Sequence, residues 1–186
     1  MRMLDWAVKR AVLPLMSLGL TGCYAPGADV ALSPAVPIAS VRTIAVCDLA
    51  DGGDLEHSGA VATRALEAAL LKRGFRLVPY ARVVELAAVE LGDNGRVWVE
   101  RDLLEPALLA RVREETGADA LLVGTVTGSS LTDGAIPPYQ IDCAFRLVAT
   151  RTGDIVAAAN ATDDGSTLQS AAAQMAKRAV DKILAR

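Results

Sequence analysis

The chain has 186 residues, of which 52% are hydrophobic, 22% are charged and only 4% are aromatic. A length of this order fits one domain with short extensions. The hydrophobic fraction excludes an intrinsically disordered chain, and the presence of only three cysteines excludes a disulfide-dense scaffold. The formal charge of −3 offers no basic surface to a phosphate backbone, which argues against nucleic-acid binding.

The N-terminus has the layout of a secretory signal. Residues 1–22 read MRMLDWAVKRAVLPLMSLGLTG, so that Arg2, Lys9 and Arg10 precede an uncharged run over residues 11–22. As a helix this run spans about 18 Å, and it is shorter than the ~20 residues that a membrane-spanning helix needs. We therefore interpret residues 1–22 as a cleaved signal peptide rather than as a membrane span.

The end of this segment resembles the lipobox of bacterial lipoproteins. Residues 20–23 read LTGC, a branched apolar residue followed by two small residues and a cysteine. The resemblance implies cleavage after Gly22 and acylation of Cys23, with palmitate among the acyl chains, and two or more chains hold a protein stably on a membrane. Tyr24, where inner-membrane lipoproteins carry an aspartate, favours the outer membrane. The alternative is an ordinary signal peptide followed by an unmodified cysteine.

The mature chain is predicted to begin with an unfolded segment. Residues 23–40 are rich in proline and alanine and carry a single charge, which is typical of an extended, lipidated tether. Regular structure is predicted from Val41, because residues 41–47 form a short apolar run without alternation, as in a strand buried on both faces. A loop over residues 48–57 then leads to a helix that is capped by Ser58 and ends near Arg73.

The rest of the chain gives similar signals. Apolar runs, alternation and helix caps predict the remaining elements as a strand at 75–79, helices at 81–90 and up to Thr116, strands at 119–127, 139–150 and 154–162, and a last helix capped by residues 163–166. The predicted order is βαβααβββα. We therefore expect an α/β fold, with a single domain over residues 41–186 in which helices pack on a mixed β-sheet of about five strands.

Several of these segments carry a family resemblance. They read IAV at residues 44–46, GFRLV at 74–78, TGADALLVGTVT at 116–127 and FRLVATRTGDIV at 145–156. Residues 41–186 resemble the CsgG-like family of outer-membrane lipoproteins, which includes the LpoB-like activators of penicillin-binding proteins and shares its fold with the N-terminal domain of TolB. The resemblance implies a non-enzymatic domain that faces the periplasm and docks to a partner or assembles into a ring.

The function expected from this resemblance is that of a protein-binding module on the outer membrane. It would regulate or assemble an envelope machine, such as a cell-wall synthase or a curli or flagellar assembly component, and formation of a homo-oligomer is left open. The alternative is an accessory lipoprotein that binds a small ligand or the cell wall, such as a transport auxiliary component.

The sequence offers little for catalysis. His57 is the only histidine, so a two-histidine metal site is excluded and any histidine-based catalysis depends on this residue alone. Neither a phosphate-binding loop nor a GxGxxG turn occurs. We expect no catalytic residue, no metal and no cofactor.

The candidate binding residues are instead acidic or aromatic. The acidic loop at residues 48–57 lacks the alternate spacing of a calcium site, so it is either a solvated loop or a docking site for a basic partner. Trp98 follows a glycine-rich turn and serves either as a partner anchor or in core packing. The residues predicted to contact a partner are Asp51, Asp54, Glu56 and Trp98.

Cys47 and Cys143 are expected in buried strands. Because the periplasm is oxidising, a disulfide between them must be considered. If the strand at 119–127 lies between them, as the family resemblance suggests, their Cα atoms are about 9.6 Å apart, beyond the ~7 Å limit for a disulfide. We therefore expect two buried thiols.

Overall fold

The computed structural model describes residues 26–53, 55–91, 103–130 and 138–185. Within these ranges the helices are α1 (Ser58–Lys72), α2 (Tyr80–Leu91), α3 (Pro106–Thr116) and α4 (Leu168–Leu184), and a 3-10 turn covers Ile38–Ser40. The strands are β1 (Gly27–Leu32), β2 (Thr43–Val46), β3 (Ala50–Asp51), β4 (Arg76–Val78), β5 (Ala120–Ser130), β6 (Tyr139–Ala149) and β7 (Ile155–Gly165).

All seven strands belong to one mixed sheet. Its order is β1-β7-β6-β5-β2-β4, and β3 pairs with β5 beyond the point where β2 ends. β2 pairs in parallel with β4 and with β5, and β3 pairs in parallel with β5. The pairs β5–β6, β6–β7 and β7–β1 are antiparallel. Helices connect the parallel strands, because a parallel pair cannot be joined by a tight turn.

Helices cover the sheet in two layers, each with its own hydrophobic core. The larger core lies between α1, α4 and the strands β5, β6 and β7, and includes Leu66, Phe145 and Met175. The smaller core lies on the opposite face under α2 and α3, and includes Leu108 and Leu121. The continuous apolar runs of β2 and the first half of β5 are explained by this arrangement, since both faces of these strands are buried.

The predicted α/β class and the order of its elements are confirmed. The sheet has seven described strands instead of about five, because β1 and β3 were not predicted. Cys47 and Cys143 are both free and buried. β5 lies between β2 and β6, and the two thiols belong to different cores on opposite faces of the sheet.

The largest correction concerns the segment predicted to be an extended tether. Residues 27–32 form β1, which pairs with β7 along its whole length, from Gly27 opposite Thr162 to Leu32 opposite Ala157. Ala28, Val30 and Leu32 are half-buried against the larger core while the residues between them are exposed. The alternation that marks an edge strand is therefore present in the sequence, but the neighbouring prolines obscured it.

A second correction concerns the start of the last helix. Residues 163–165 continue β7 rather than capping α4. The cap is Thr167, whose side chain accepts a hydrogen bond from the backbone N–H of Ser170 at 3.1 Å, while the Ser170 hydroxyl accepts one from the N–H of Thr167 at 3.1 Å. This reciprocal pair satisfies two backbone donors that the helix itself cannot use.

Candidate functional site

One end of the sheet carries Asp51 and Glu56, the two described acidic residues that the sequence predicts to contact a partner. We call it the acidic end and define it by the carboxyl ends of β5 and β7, the amino end of β6, and the described loop residues 52, 53 and 55–57. The loop lies against β5, because the N–H of Gly52 donates to the carbonyl of Val126 at 2.8 Å. A Cβ at Gly53 would lie 2.7 Å from the carbonyl oxygen of Gly128, so this approach requires glycine.

Asp51 has a structural role in this loop. Its Oδ1 accepts a hydrogen bond from the Ser58 hydroxyl at 2.6 Å and another from the backbone N–H of Gly59. A carboxylate at this position satisfies a free donor in the first turn of α1 and interacts favourably with the helix dipole. Asp51 therefore caps α1 from outside the helix, whereas Ser58, the predicted cap, is its first helical residue and donates to Asp51. Only part of the Asp51 carboxylate is available to a partner.

The other predicted contact residues have different outcomes. Glu56 is exposed at the acidic end, next to the exposed His57, whose backbone adopts a left-handed conformation with φ of 67°. Asp54 and Trp98, together with Gly22 and Cys23 of the predicted lipidation site, lie outside the described residues. Their proposed roles remain predictions.

The fold adds acidic residues that sequence reasoning did not place here. Asp142 lies near the start of β6 and accepts a hydrogen bond from the Thr162 hydroxyl at 2.5 Å. Asp163 and Asp164 follow at the end of β7, opposite the first residues of β6. The sequence did contain a signal for the position of Asp163 and Asp164. Because the alternation of β6 begins at residue 139, a hairpin partner of equal length would extend to about residue 165.

A second charged group lies at the end of β2, between α1 and α2. Burial raises the pKa of Asp48, while the guanidinium of Arg64 acts in the opposite direction. Burial also raises the pKa of Glu67, and the negative charge of Asp48 adds to that effect. The same two causes, burial and then Asp48, raise the pKa of Tyr80. These side chains form an electrostatically coupled cluster around Asp48.

Part of the sheet faces outward without a helix over it, as far as the described helices extend. We call it the open face. It consists of rows of short side chains across β5, β6, β7 and β1, for example Thr125, Ala144, Asn160 and Asp29 in one row and Thr127, Asp142 and Thr162 in the next. Thr125, Ala144 and Asn160 are exposed, and the charged side chains Asp29, Asp142 and Arg146 lie around them on the same face.

The opposite side of the molecule has a groove between α1 and α4. Its floor is formed by alanines, among them Ala65, Ala69 and Ala173, and its volume is about 490 Å³. Lys72 and Lys177 stand on its rim without an ion-pair partner among the described residues, whereas Arg73 is paired with Asp181. The groove is thus apolar at its base and positively charged at its edges.

The described ranges contain neither a membrane-spanning helix nor a metal-binding cluster. None of the helices there combines the length and hydrophobicity needed to cross a membrane. No three histidine, cysteine, aspartate or glutamate side chains of these ranges are grouped so as to hold a metal ion.

Comparison with known proteins gives a fold but not a family. No family model matches the chain, and no curated protein matches it. Among solved structures, the PelC dodecamer from Paraburkholderia phytofirmans is similar to this chain, with a TM-score of 0.58 and 16% identity in one crystal form. The match covers 87% of this chain and 100% of the PelC chain. The protein therefore shares the fold of a PelC subunit.

Two further structures show weaker similarity. Lipoprotein GNA1162 from Neisseria meningitidis has a TM-score of 0.48 at 18% identity, with 67% of this chain and 81% of that chain covered. The LpoB C-terminal domain from Salmonella enterica has the same score and identity, with coverage of 67% and 83%. LpoB is thus among the similar structures, but at this level the match carries no functional argument, and membership of the CsgG-like family remains a prediction.

Proposed function

We propose that this protein is a lipid-anchored lipoprotein of the outer membrane whose periplasmic domain acts by binding protein and has no catalytic role. The anchor is supported by the signal layout of residues 1–22 and by the cysteine that follows it. Acyl chains on Cys23 would hold the domain at the membrane without a spanning helix. The binding role is supported by the open face of the sheet.

The open face carries this proposal. An exposed sheet face built of short side chains can be covered by another chain at small cost. The exposed centre of this face consists of Thr125, Ala144 and Asn160, with Asp29, Asp142 and Arg146 around it. The cost in side-chain entropy of covering Thr, Ala and Asn is small. The PelC subunit of the same fold is found in a dodecamer, so the first partner to consider is a second copy of this chain, followed by another envelope protein.

Site-specific photo-crosslinking in intact cells tests the binding role. A photoreactive residue placed at Asn160, in the open face, should give a discrete adduct with another copy of the chain or with one envelope protein. The matched control is the same residue at Arg151, which is exposed in the hairpin turn away from this face. Equal labelling at both positions, or none at either, would overturn the proposal.

Acylation is tested separately by metabolic labelling with an alkyne analogue of palmitate. The wild-type chain should take up the label and fractionate with the outer membrane, whereas Cys23→Ser should lose both properties. Retention of the label by Cys23→Ser would show that the anchor has been wrongly assigned.

The groove between α1 and α4 supports a second candidate function, an accessory lipoprotein that binds a small ligand. Its volume of about 490 Å³ lies in the range of small-molecule pockets. An alanine floor with Lys72 and Lys177 on its rim suits a molecule with an apolar body and an anionic group. Thermal stabilisation by such a ligand, lost in Ala69→Trp, without any protein adduct from the open face, would favour this function over the first.

A further inference from the structure

The distance between the predicted lipid anchor and the folded domain is very short. β1 begins at Gly27, four positions after Cys23. A chain extends by at most about 3.6 Å per residue, so the Cα atom of Gly27 lies no more than about 14 Å from that of Cys23. A tether extending to residue 40 would have reached about 50 Å.

β1 is held firmly enough to define where the tether ends. All six of its residues pair with β7, and the chain that follows is fixed by a hydrogen bond from the N–H of Ser33 to the carbonyl of Val156 at 2.9 Å. The Lys182 ammonium donates to the carbonyl of Ala28 and lies 3.5 Å from Oδ1 of Asp29. Detachment of β1 from the sheet, which would lengthen the tether, would break these contacts together.

The tether leaves the domain at its acidic end. Gly27 lies opposite Thr162, and β7 continues from there for three more residues to Gly165, which is about 10 Å at the rise of a strand. If β1 stands perpendicular to the membrane, the maximum tether length of about 14 Å exceeds the ~10 Å by which β7 extends past Gly27 by only about 4 Å. In that orientation the described tips of β5, β6 and β7 lie at the level of the lipid headgroups.

We propose that the acidic end of the sheet rests on the bilayer surface and contacts the ammonium groups of zwitterionic phospholipid headgroups. This inference rests on the lipid anchor of the proposed function. Glu56 is exposed at this end and Asp164 is half-buried, so their carboxylates favour ethanolamine headgroups and are repelled by anionic ones. Tyr139, half-buried at the first position of β6, belongs to a residue type that prefers the membrane interface. A protein partner would then be met at the membrane surface.

Energy transfer to a labelled bilayer tests this orientation. The full chain, processed and acylated in cells, is reconstituted into phosphatidylethanolamine vesicles with an acceptor on the headgroups. A donor dye is attached at Ser130→Cys, at the acidic end, or at Thr152→Cys, in the turn at the other end of β6. Both positions are exposed, and the buried Cys47 and Cys143 should not react. The two dyes are separated by about 30 Å along the strand.

We expect transfer at least about twofold greater from residue 130 than from residue 152, given that separation. Insertion of twenty glycine and serine residues after Ala25 should abolish the difference, and replacement of ethanolamine by anionic glycerol headgroups should reduce transfer from residue 130. Equal transfer from both positions in the native chain would overturn the orientation, and equal binding to both lipids would overturn the choice of headgroup. Failure of the wild-type chain to take up the palmitate label would overturn the anchor itself.

Discussion

Asp163 is a carboxylate enclosed between β7 and α4, with 1% of its surface exposed. Its Oδ2 lies 2.5 Å from Nε of Arg178 as an ion pair without hydrogen-bond geometry, and its Oδ1 accepts from the N–H of Asp164 at 3.0 Å. Arg178→Met should lower the free energy of unfolding by about 2 kcal/mol, since a buried charge loses its partner while water reaches the half-exposed arginine position. Urea denaturation measures this loss, and Arg151→Met, at an exposed turn, should change stability by less than about 0.5 kcal/mol.

Asp48 makes stability depend on pH in a defined direction. Burial raises its pKa in the folded protein above the ordinary value of 3.8, so the native state binds its proton more tightly than the unfolded state. Stability from this group is therefore present below that value and is lost as the pH rises through the raised pKa. Asp48→Asn should stabilise the protein at pH 7, by less than about 1 kcal/mol because solvent screens the site.

The gain from Asp48→Asn should disappear near pH 3, where the wild-type carboxyl is also protonated. Urea unfolding of both chains at the two pH values measures the difference, with Asp154→Asn in the hairpin turn as the control. A gain that is the same at both pH values would contradict the electrostatic origin.

At the scale of elements, the pairing of β5 with β6 depends on Gly124. A Cβ there would collide with the carbonyl oxygen of Ala144 and lie 2.7 Å from Cα of Phe145. Gly124→Ala should therefore destabilise the protein by about 1–3 kcal/mol, as expected for overpacking of a filled site. Thr125→Ala, next to it on the open face, should have little effect, and equal losses measured by thermal unfolding would contradict this explanation.

The elements that the sequence predicts well are those with a strong pattern. The alternation of β6 and the apolar stripe of α4 predicted the bounds of both elements to within a few residues. Burial of one face produces such a periodic pattern of apolar residues in the sequence. β1 was missed because it depends on β7, a partner 130 residues away in the chain. Its own residues carry a weak pattern between prolines, and such a strand is stable only through its neighbour and the helix that covers it.

The candidate site was only partly predictable for a related reason. The acidic loop was recognised from composition, but the role of Asp51 depends on a hydrogen bond to Ser58 seven positions later, formed only once the loop folds back on β5. The proximity of this loop to Asp163 and Asp164 arises from the sheet order and not from sequence spacing. Local patterns thus predict elements, whereas the surface they build together depends on long-range pairing.

At the scale of the whole molecule, the sheet keeps its two described thiols apart. Cys47 belongs to the core under α2 and α3 and Cys143 to the core under α1 and α4, so they lie on opposite faces with β5 between their strands. Burial raises the pKa of each thiol to about 12, with the charges of Asp48 and Asp142 as lesser causes. At neutral pH neither thiol supplies the reactive thiolate.

The protein purified from an oxidising compartment without reductant should therefore show almost no thiol reactivity while folded. Two thiols per chain should react in denaturant, provided that Cys23 is acylated or replaced by serine. Titration with a chromogenic disulfide reagent, with and without denaturant, measures both numbers, and Cys47→Ala should lower the denatured value to one. If the two thiols react in denaturant only after reduction, Cys47 and Cys143 form a disulfide. The intact sheet does not permit this disulfide, because β5 holds their strands two strand spacings apart.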